Sequence, residues 1–242
     1  ADLKAFASLG VFGTSAITCL TAQNPDEVAG ILAATPRMVE LQVRTVCKGF
    51  PVAAAKTGML YSAAIINAVV RSVKAARIPF LVVDPVMVST SGARLLRQDA
   101  VDALCRRLFP LATVVTPNLP EAEIIVGRRI RSEAELGEAA LSISDRFGCG
   151  CVVKGGHLPA GRGRGQVVDV LAWKGRLHEF RTARVRARET HGTGCTFSAA
   201  LAASLAKGHP LPSAVKQAQC YVAHALKHSI RAGRHSPLGW TQ

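Results

Sequence analysis

The amino-acid sequence predicts an α/β fold, in which helices cover both faces of a mostly parallel central sheet. Short runs that are apolar throughout alternate along the chain with helical stretches, a pattern typical of parallel strands buried between helices. The chain has 242 residues, of which 49% are hydrophobic and 19% are charged, so it can bury a large core. Nothing in the composition indicates a domain boundary, and we therefore expect a single domain over residues 1–242.

The predicted strands are short, apolar runs: FLVVD (80–84), ATVVT (112–116), CVVK (151–154) and VVDVLA (167–172). Helices are predicted at about 61–77, 93–108, 132–146, 196–207 and 212–231 from their length and apolar spacing. The fourth of these helices ends before Gly208, a residue type that is common just beyond a helix C-terminus. In such a fold, ligands bind beyond the carboxyl ends of the strands, so the residues that follow each strand are the candidates for chemistry.

The charge balance favours anionic small molecules as ligands. The chain has 30 Lys and Arg against 16 Asp and Glu, a net charge of +14. Aromatic residues make up only 5%, and no block of five basic residues occurs, so we expect no nucleic-acid partner. The densest basic stretch alternates with other residues, which indicates a solvated strand face or a phosphate-steering rim; it comprises Arg181, Arg184, Arg186 and Arg188.

The sequence also bears on cellular location. No apolar run is long enough to cross a bilayer and no signal peptide is visible, so we expect no membrane partner. The seven cysteines are an odd number in a chain of this length, which favours reduced thiols and a cytoplasmic protein.

Polar residues follow three of the predicted strands. Asp84 and Glu121 are carboxylates at neighbouring strand ends, where they could hold Mg²⁺ directly or through water, or instead cap a helix or anchor a loop. Lys154 ends an otherwise apolar strand, from which it reaches either a phosphate or a nearby carboxylate. The residue types alone leave these alternatives open.

The strongest local signal is the turn HGTGC (191–195), which precedes an alanine-rich helix. Gly192 and Gly194 allow a tight turn, and the helix N-terminus adds N–H groups and positive potential, so the segment is suited to a phosphoryl group. Cys195 lies at the helix start, where a thiolate is favoured and could accept a proton from an attacking hydroxyl. The alternative is a glycine turn in which Cys195 is a small core residue. No G-x-x-x-x-G-K-[ST] motif occurs.

Six motifs in order along the chain together resemble the hydroxymethylpyrimidine/phosphomethylpyrimidine kinases of thiamine biosynthesis, which are ribokinase-like enzymes. The motifs are GVFGTSAITCLTAQN (10–24), KTGML (56–60), DPVMVSTSGARLL (84–96), TPNLPEAEIIVG (116–127), VVKGGHL (152–158) and HGTGCTFSAALAASLAKG (191–208). The resemblance implies a ribokinase-like fold and phosphorylation of 4-amino-5-hydroxymethyl-2-methylpyrimidine and of its monophosphate. It further implies ATP and Mg²⁺ as cofactors, and a homodimer.

The resemblance also implies a substrate site. Gln23 matches the residue that reads the edge of the aminopyrimidine, since a carboxamide both donates and accepts hydrogen bonds. Asp2 matches an acidic residue near the substrate hydroxymethyl group. Met59 and Val86 match the apolar residues on either side of the ring.

The nucleotide site is implied in the same way. Glu121 and Asp84 match the acids associated with Mg²⁺, and Asn118 and Lys154 match residues near the nucleotide phosphates. The anion hole and its base match the four residues Gly192, Thr193, Gly194 and Cys195, of which the glycines also bind the nucleotide.

The GTGC motif at 192–195 distinguishes between groups of kinases within the superfamily. The sugar kinases and ordinary pyridoxal kinases carry GTGD instead, with aspartate as the base. Pyridoxal kinases similar to the pyrimidine kinases share GTGC and stay as the alternative activity. A non-catalytic vitamin-binding module is the alternative from another class.

One departure concerns the start of the chain. Members of the family begin with a strand and a glycine-rich turn, G-x-D-x-x-G-G-A-G-I-Q, immediately before the residues that match ADLK, and this sequence starts at Ala1 of ADLK. We therefore expect the first strand of the sheet to be missing and the sequence to be incomplete at this end.

Overall fold

The computed structural model describes residues 1–87, 96–158, 165–185 and 192–240, without the side chains of Gln98 and His157. Some sequence expectations fall on other residues: the start of the helix expected at 93–108, the first residue of the HGTGC turn and the basic residues Arg186 and Arg188 lie outside the described residues.

The chain opens with a short helix and a two-stranded sheet that is separate from the central sheet. Helix α1 (Asp2–Ser8) is followed by strands β1 (Cys19–Gln23) and β2 (Val28–Ala33), which pair with each other in an antiparallel two-stranded sheet. Helix α2 (Pro36–Gly49) is preceded by Thr35, whose side chain caps the helix by accepting a hydrogen bond from the Met38 N–H.

The central sheet has six strands whose spatial order follows the chain. They are β3 (Ala54–Thr57), β4 (Phe80–Val83), β5 (Val114–Val115), β6 (Gly150–Lys154), β7 (Gln166–Trp173) and β8 (Arg176–Ala183). The first four strands are parallel, and β7 and β8 pair antiparallel to their predecessors. Among the described residues β3 is the edge strand at the N-terminal side, and the further strand expected before Ala1 stays a prediction.

Helices cover both faces of this sheet. They are α3 (Ala63–Ala76), α4 (Gln98–Ala103), α5 (Leu119–Val126), α6 (Glu133–Phe147), α7 (Thr193–Ala206) and α8 (Leu211–Lys227). Alternate strand residues point to opposite faces. Val83 and Val153 pack into a core with α3 to α6, whereas Val82 and Val152 pack against α7 and α8. The predicted α/β class and the mostly parallel sheet between helices are thus confirmed.

Several boundaries differ from the expectations. The helix expected at 93–108 is α-helical only over α4 and continues as a π-helical turn at Leu104–Leu108, after which Pro110 lies in a short 3₁₀ turn. The last helix ends at Lys227 rather than near 231, and the strand expected at 112–116 is reduced to two residues. Strands β1, β2 and β3 were not among the predicted strands. Strand β8 was foreseen only as one alternative for the basic stretch that starts at Arg181, because its alternating polar residues leave one face in water.

Membrane-spanning helices, disulfides and the basic stretch are the next features that the sequence led us to consider. No helix in the described ranges is long and apolar enough to cross a membrane. All seven cysteines are free thiols, as their odd number led us to expect. Arg181 lies on β8, where it pairs with Glu133 and Glu179 at 2.8 Å, consistent with a solvated strand face.

Candidate active site

Asp84 is the centre of a buried polar cluster at the carboxyl ends of the parallel strands. It follows β4 directly and is only 3% exposed. Its Oδ2 accepts a hydrogen bond from the Ser198 Oγ at 3.0 Å, and its Oδ1 lies 3.3 Å from the Lys154 Nζ. A buried carboxylate needs such partners, and here they come from α7 and from β6. The cluster therefore ties the start of α7 to the strand ends.

Lys154 ends β6, as the sequence predicted, and its ammonium group faces inward. Burial alone would lower its pKa, but the negative charges of Asp84 and then of Glu121 reverse this effect and raise the pKa. The two carboxylates therefore favour the charged form of Lys154. Its partner in the free protein is the Asp84 carboxylate, one of the two alternatives that the sequence left open.

Glu121 lies in the first turn of α5 and forms a capping box with Asn118. Its carboxylate accepts hydrogen bonds from the Asn118 N–H at 2.9 Å and from the Met87 N–H at 3.1 Å, while the Asn118 Oδ1 accepts from the Glu121 N–H at 3.0 Å. Burial raises the pKa of Glu121, Lys154 lowers it, and the nearby charge of Asp84 raises it further. The helix-cap alternative is thus realised, next to a second buried carboxylate.

The glycine turn before α7 has the geometry that an anion site needs. Gly192 is the N-cap of α7 with a φ of +83°, a conformation that residues with a Cβ rarely adopt. Thr193 and Gly194 are the first two residues of the helix. A Cβ on Gly194 would lie 3.3 Å from the Lys154 Nζ and 4.0 Å from the Asp84 Oδ2. The N-terminus of α7 therefore approaches the buried ion pair closely, and only glycine leaves that space open.

Cys195 occupies the third position of α7 and is partly buried. Burial raises the pKa of its thiol above the ordinary value. The positive charge of Lys56 is the largest opposing influence, while Asp84 and Asp2 raise the pKa further and Lys154 lowers it. In the free protein, burial and the two carboxylates therefore oppose the thiolate that a position at a helix start favours. The role of Cys195 as the base stays a prediction.

Sequence reasoning missed Lys56. It lies near the end of β3, its side chain is 3% exposed, and its Nζ lies 2.9 Å from the Asp2 Oδ2. The signal was present in the KTGML motif as a lysine in an otherwise apolar strand, the same signal that drew attention to Lys154. Asp2 lies at the start of α1 and is 39% exposed. The pair extends the charged cluster toward the position that the resemblance assigns to the substrate.

The remaining substrate residues lie in less constrained places. The Met59 carbonyl accepts a hydrogen bond from the Thr18 Oγ1 at 2.6 Å, which ties the approach to β1 to the loop after β3. Val86 has a φ of +44°, an uncommon conformation for a β-branched residue and a sign of backbone strain. Gln23 is exposed at the end of β1, where the pairing with β2 is irregular, and no contact in the described residues joins it to the charged cluster.

The two buried carboxylates are the candidate ligands for Mg²⁺. No group of three or more His, Cys, Asp and Glu side chains able to hold a metal occurs in the part of the chain that the structure describes. Asp84 and Glu121 are two buried carboxylates whose charges oppose each other, and each carboxylate oxygen has lone pairs beyond those used in the contacts above. Two carboxylates completed by phosphate oxygens and water are an ordinary environment for Mg²⁺, so the residues fit that ion when nucleotide is bound.

Comparisons with known proteins agree with this geometry. The family profile described as phosphomethylpyrimidine kinase matches residues 1–238. The chain is 42% identical to the hydroxymethylpyrimidine/phosphomethylpyrimidine kinase of Haemophilus influenzae, covering 98% of this chain and 88% of that protein. It is 43% identical to the thiamine biosynthesis bifunctional protein ThiED of Geobacter sulfurreducens, where it covers 98% of this chain but spans only 48% of that protein.

Among solved structures, an ADP complex of Bacillus subtilis pyridoxal kinase superposes with a TM-score of 0.86 at 32% identity, covering 98% of this chain and 89% of that one. One explanation accounts for the sequence motifs, for the charged cluster at the strand ends and for these similarities. The chain belongs to the phosphomethylpyrimidine kinase family, a group of small-molecule kinases with a ribokinase-like fold.

Proposed function

We propose that this chain transfers the γ-phosphoryl group of ATP first to 4-amino-5-hydroxymethyl-2-methylpyrimidine and then to its monophosphate. Membership of the kinase family supports the use of ATP and a small-molecule acceptor. The observation that carries the proposal is the approach of Gly194 to Lys154 and Asp84, beside Cys195. A helix N-terminus, a buried ammonium group and a candidate base thus converge on one point, as phosphoryl transfer requires.

In the first transfer, the N–H groups of residues 192–195 and the Lys154 ammonium group bind the γ-phosphate and stabilise its developing charge. Cys195 accepts the hydroxyl proton as the oxygen attacks the γ-phosphorus and ADP leaves. The pKa of the Cys195 thiol is raised in the free protein, so bound ligands and their counterions must favour the thiolate for this role. Asn118, which caps α5 beside Lys154, contacts the nucleotide.

Asp84 and Glu121 would hold Mg²⁺ together with the phosphates. When bound, the ion supplies positive charge to the transferred group. The protein's own contribution is to keep two carboxylates buried at one strand edge, one fixed by Ser198 and Lys154 and the other by two backbone N–H groups. Their mutual repulsion favours a cation there.

On the acceptor side, Gln23 would read the edge of the pyrimidine, Met59 and Val86 would contact the faces of the ring, and Asp2 would orient the hydroxymethyl group. Lys56 fixes the Asp2 carboxylate at 2.9 Å. For Gln23, which is exposed in the free protein, this role requires the β1–β2 sheet and the substrate to meet on binding.

Pyridoxal kinase activity is the second candidate, since the pyridoxal kinase structure superposes closely on this chain. A non-catalytic vitamin-binding module is disfavoured, because Cys195 and Glu121 are both retained in a chain that belongs to a kinase family.

The test is ADP release measured with Mg·ATP and three competing acceptors: the pyrimidine, its monophosphate and pyridoxal. The proposal expects the highest kcat/KM values for the two pyrimidines and little activity without Mg²⁺. Efficient turnover of pyridoxal alone would replace the proposal with the second candidate.

We also propose that the protein is a homodimer with one kinase domain over residues 1–242. Leu20 and Leu32 lie opposite each other on β1 and β2, and are 60% and 68% exposed. An apolar pair of this kind on a two-stranded sheet favours burial against a second copy. Light scattering should give twice the chain mass, and Leu20→Asp should give monomers.

The seven free thiols suit the reducing cytoplasm, which we propose as the location.

A further inference from the structure

The Lys56 ammonium group is buried with most of its hydrogen-bonding capacity unused. An ammonium group has three donors. In the described part of the chain its one acceptor is the Asp2 Oδ2, at 2.9 Å, although the side chain is only 3% exposed. Donors that are buried without acceptors are costly, so they call for a ligand or water at the remaining positions.

The position of Lys56 is fixed by the strand that carries it. Lys56 pairs with Val82 in the parallel ladder, and the Asp84 N–H donates to the Thr57 carbonyl at 3.2 Å, so Lys56 lies one strand away from the Asp84 cluster. A Cβ on Gly58 would lie 3.1 Å from the Lys56 Nζ, which shows that the ammonium group lies close to the backbone of the following loop. The side chain is thus held in place on one side by Asp2 and on another by Gly58.

In the strand order of the sheet, Lys56 on β3 and Lys154 on β6 lie on either side of Asp84, which follows β4. Lys154 is bound to Asp84 and lies against Gly194, on the side that we assign to the nucleotide. Lys56 is bound to Asp2, on the side that we assign to the acceptor. Both ammonium groups are close enough to Cys195 for their charges to lower the pKa of its thiol. An acceptor in reach of Cys195 therefore lies close to Lys56 as well.

The two transfers place different demands on this position. In the first, an alcohol oxygen forms a bond to the γ-phosphorus, and a base must accept the alcohol proton. The bond from the γ-phosphorus to the β–γ bridging oxygen breaks, and its electron pair leaves on ADP. In the second, an oxygen of the phosphate dianion is the nucleophile. The same bond breaks, ADP leaves, and no proton has to be removed.

The second acceptor brings a new difficulty, because its negative charge would face the Asp2 carboxylate. Resting on the proposed function, we propose that Lys56 is the catalytic residue that binds the phosphate of the monophosphate acceptor through its two unused donors. Lys56 thereby offsets the repulsion by Asp2 and lets one site accept both an alcohol and a phosphate. Cys195 serves mainly the first transfer and Lys56 mainly the second.

The test compares kcat/KM for the two acceptors in each of several variants. Lys56→Met is expected to lower the ratio of monophosphate to alcohol turnover by about 10- to 100-fold, the loss typical of a charge-assisted hydrogen bond. Cys195→Ala is expected to change the same ratio in the opposite direction. Lys74→Met, at an exposed position on α3, is the matched control and should leave both values unchanged.

Asp2→Asn provides an independent arm that does not depend on the stability of a buried-site variant, since Asp2 is 39% exposed. It removes the negative charge that repels the phosphate, while the amide oxygen can still accept a hydrogen bond from Lys56, so the ratio should rise. Equal losses for both acceptors in Lys56→Met, or a ratio that does not rise in Asp2→Asn, would overturn the proposal. Failure of the wild type to phosphorylate either pyrimidine would instead contradict the proposed function.

Discussion

Substitution of Gly194 by alanine separates the stability of α7 from its function. Gly194 is the second residue of the helix and its φ is not positive, so alanine is compatible with the backbone. Alanine in place of glycine within a helix contributes about 0.5–1 kcal/mol of stability. In a chain of this length, this gain corresponds to a rise in Tm of roughly 1–4 °C.

The same methyl group should impair catalysis. It would lie 3.3 Å from the Lys154 Nζ, so the ammonium group must move by a few tenths of an ångström, and the methyl would fill the space where a phosphate meets the helix N-terminus. A misplacement of 1 Å costs about 10²-fold in rate, and we therefore expect kcat to fall by roughly 10-fold.

Differential scanning fluorimetry and a coupled ADP-release assay together test this prediction. Gly49→Ala is the matched control, because Gly49 ends α2 and a Cβ there meets nothing within 4 Å. It should leave the rate unchanged. Normal turnover in Gly194→Ala would refute the reasoning that the glycine turn approaches the transferred phosphate.

Three further predictions concern the other groups of the site. Cys195→Ala should lower kcat with the alcohol by ~10²–10⁴-fold with little change in the Kd of ATP by calorimetry. Because burial raises the pKa of the Cys195 thiol in the free protein, wild-type kcat/KM should keep rising as the pH is raised above neutrality. A flat kcat/KM profile would remove Cys195 as the base. Gln23→Leu should raise KM for the pyrimidine by about 5- to 150-fold, the cost of one unmet polar group, without changing the Kd of ATP; equal weakening of both ligands would mean that Gln23 supports the fold. Glu121→Gln should raise the Mg²⁺ concentration needed for half-maximal activity by about 10-fold. It should also lower Tm, since a single amide oxygen cannot accept from both the Asn118 and the Met87 N–H groups. An unchanged Mg²⁺ titration would leave Glu121 as a helix cap alone.

The elements that sequence reasoning predicted best are those with a strong local signal. The inner strands that carry Asp84 and Lys154 are short apolar runs covered on both sides, so their pattern has a single interpretation. Strand β8 has polar residues at alternate positions and was foreseen only as one alternative for its basic end, because about half of its residues face water. The π-helical turn after α4 has no comparable signal in the residues that form it.

In the candidate site, too, the residues with a local sequence signal were predicted and those that depend on the folded structure were not. Topology alone brings several site residues to the carboxyl edge of the sheet, because they follow strands or open a helix. These residues are Asp84, Glu121, Lys154 and the glycine turn. The state of the Cys195 thiol could not be predicted, because it depends on burial and on charges from four separate segments. Lys56 was missed although it carries the same signal as Lys154, a lysine in an otherwise apolar strand. What the sequence could not predict is its partner, Asp2, which is 54 residues away in the chain and meets it only in the folded protein.

The most direct test of the central claim is a ³¹P NMR time course of the protein with Mg·ATP and the hydroxymethylpyrimidine, with Cys195→Ala as the comparison. We predict a phosphomonoester signal that appears first and is then converted into a diphosphate ester, with the first step lost in the variant. Absence of any new ester in the wild-type reaction, or a phosphoester formed only when pyridoxal replaces the pyrimidine, would contradict the account.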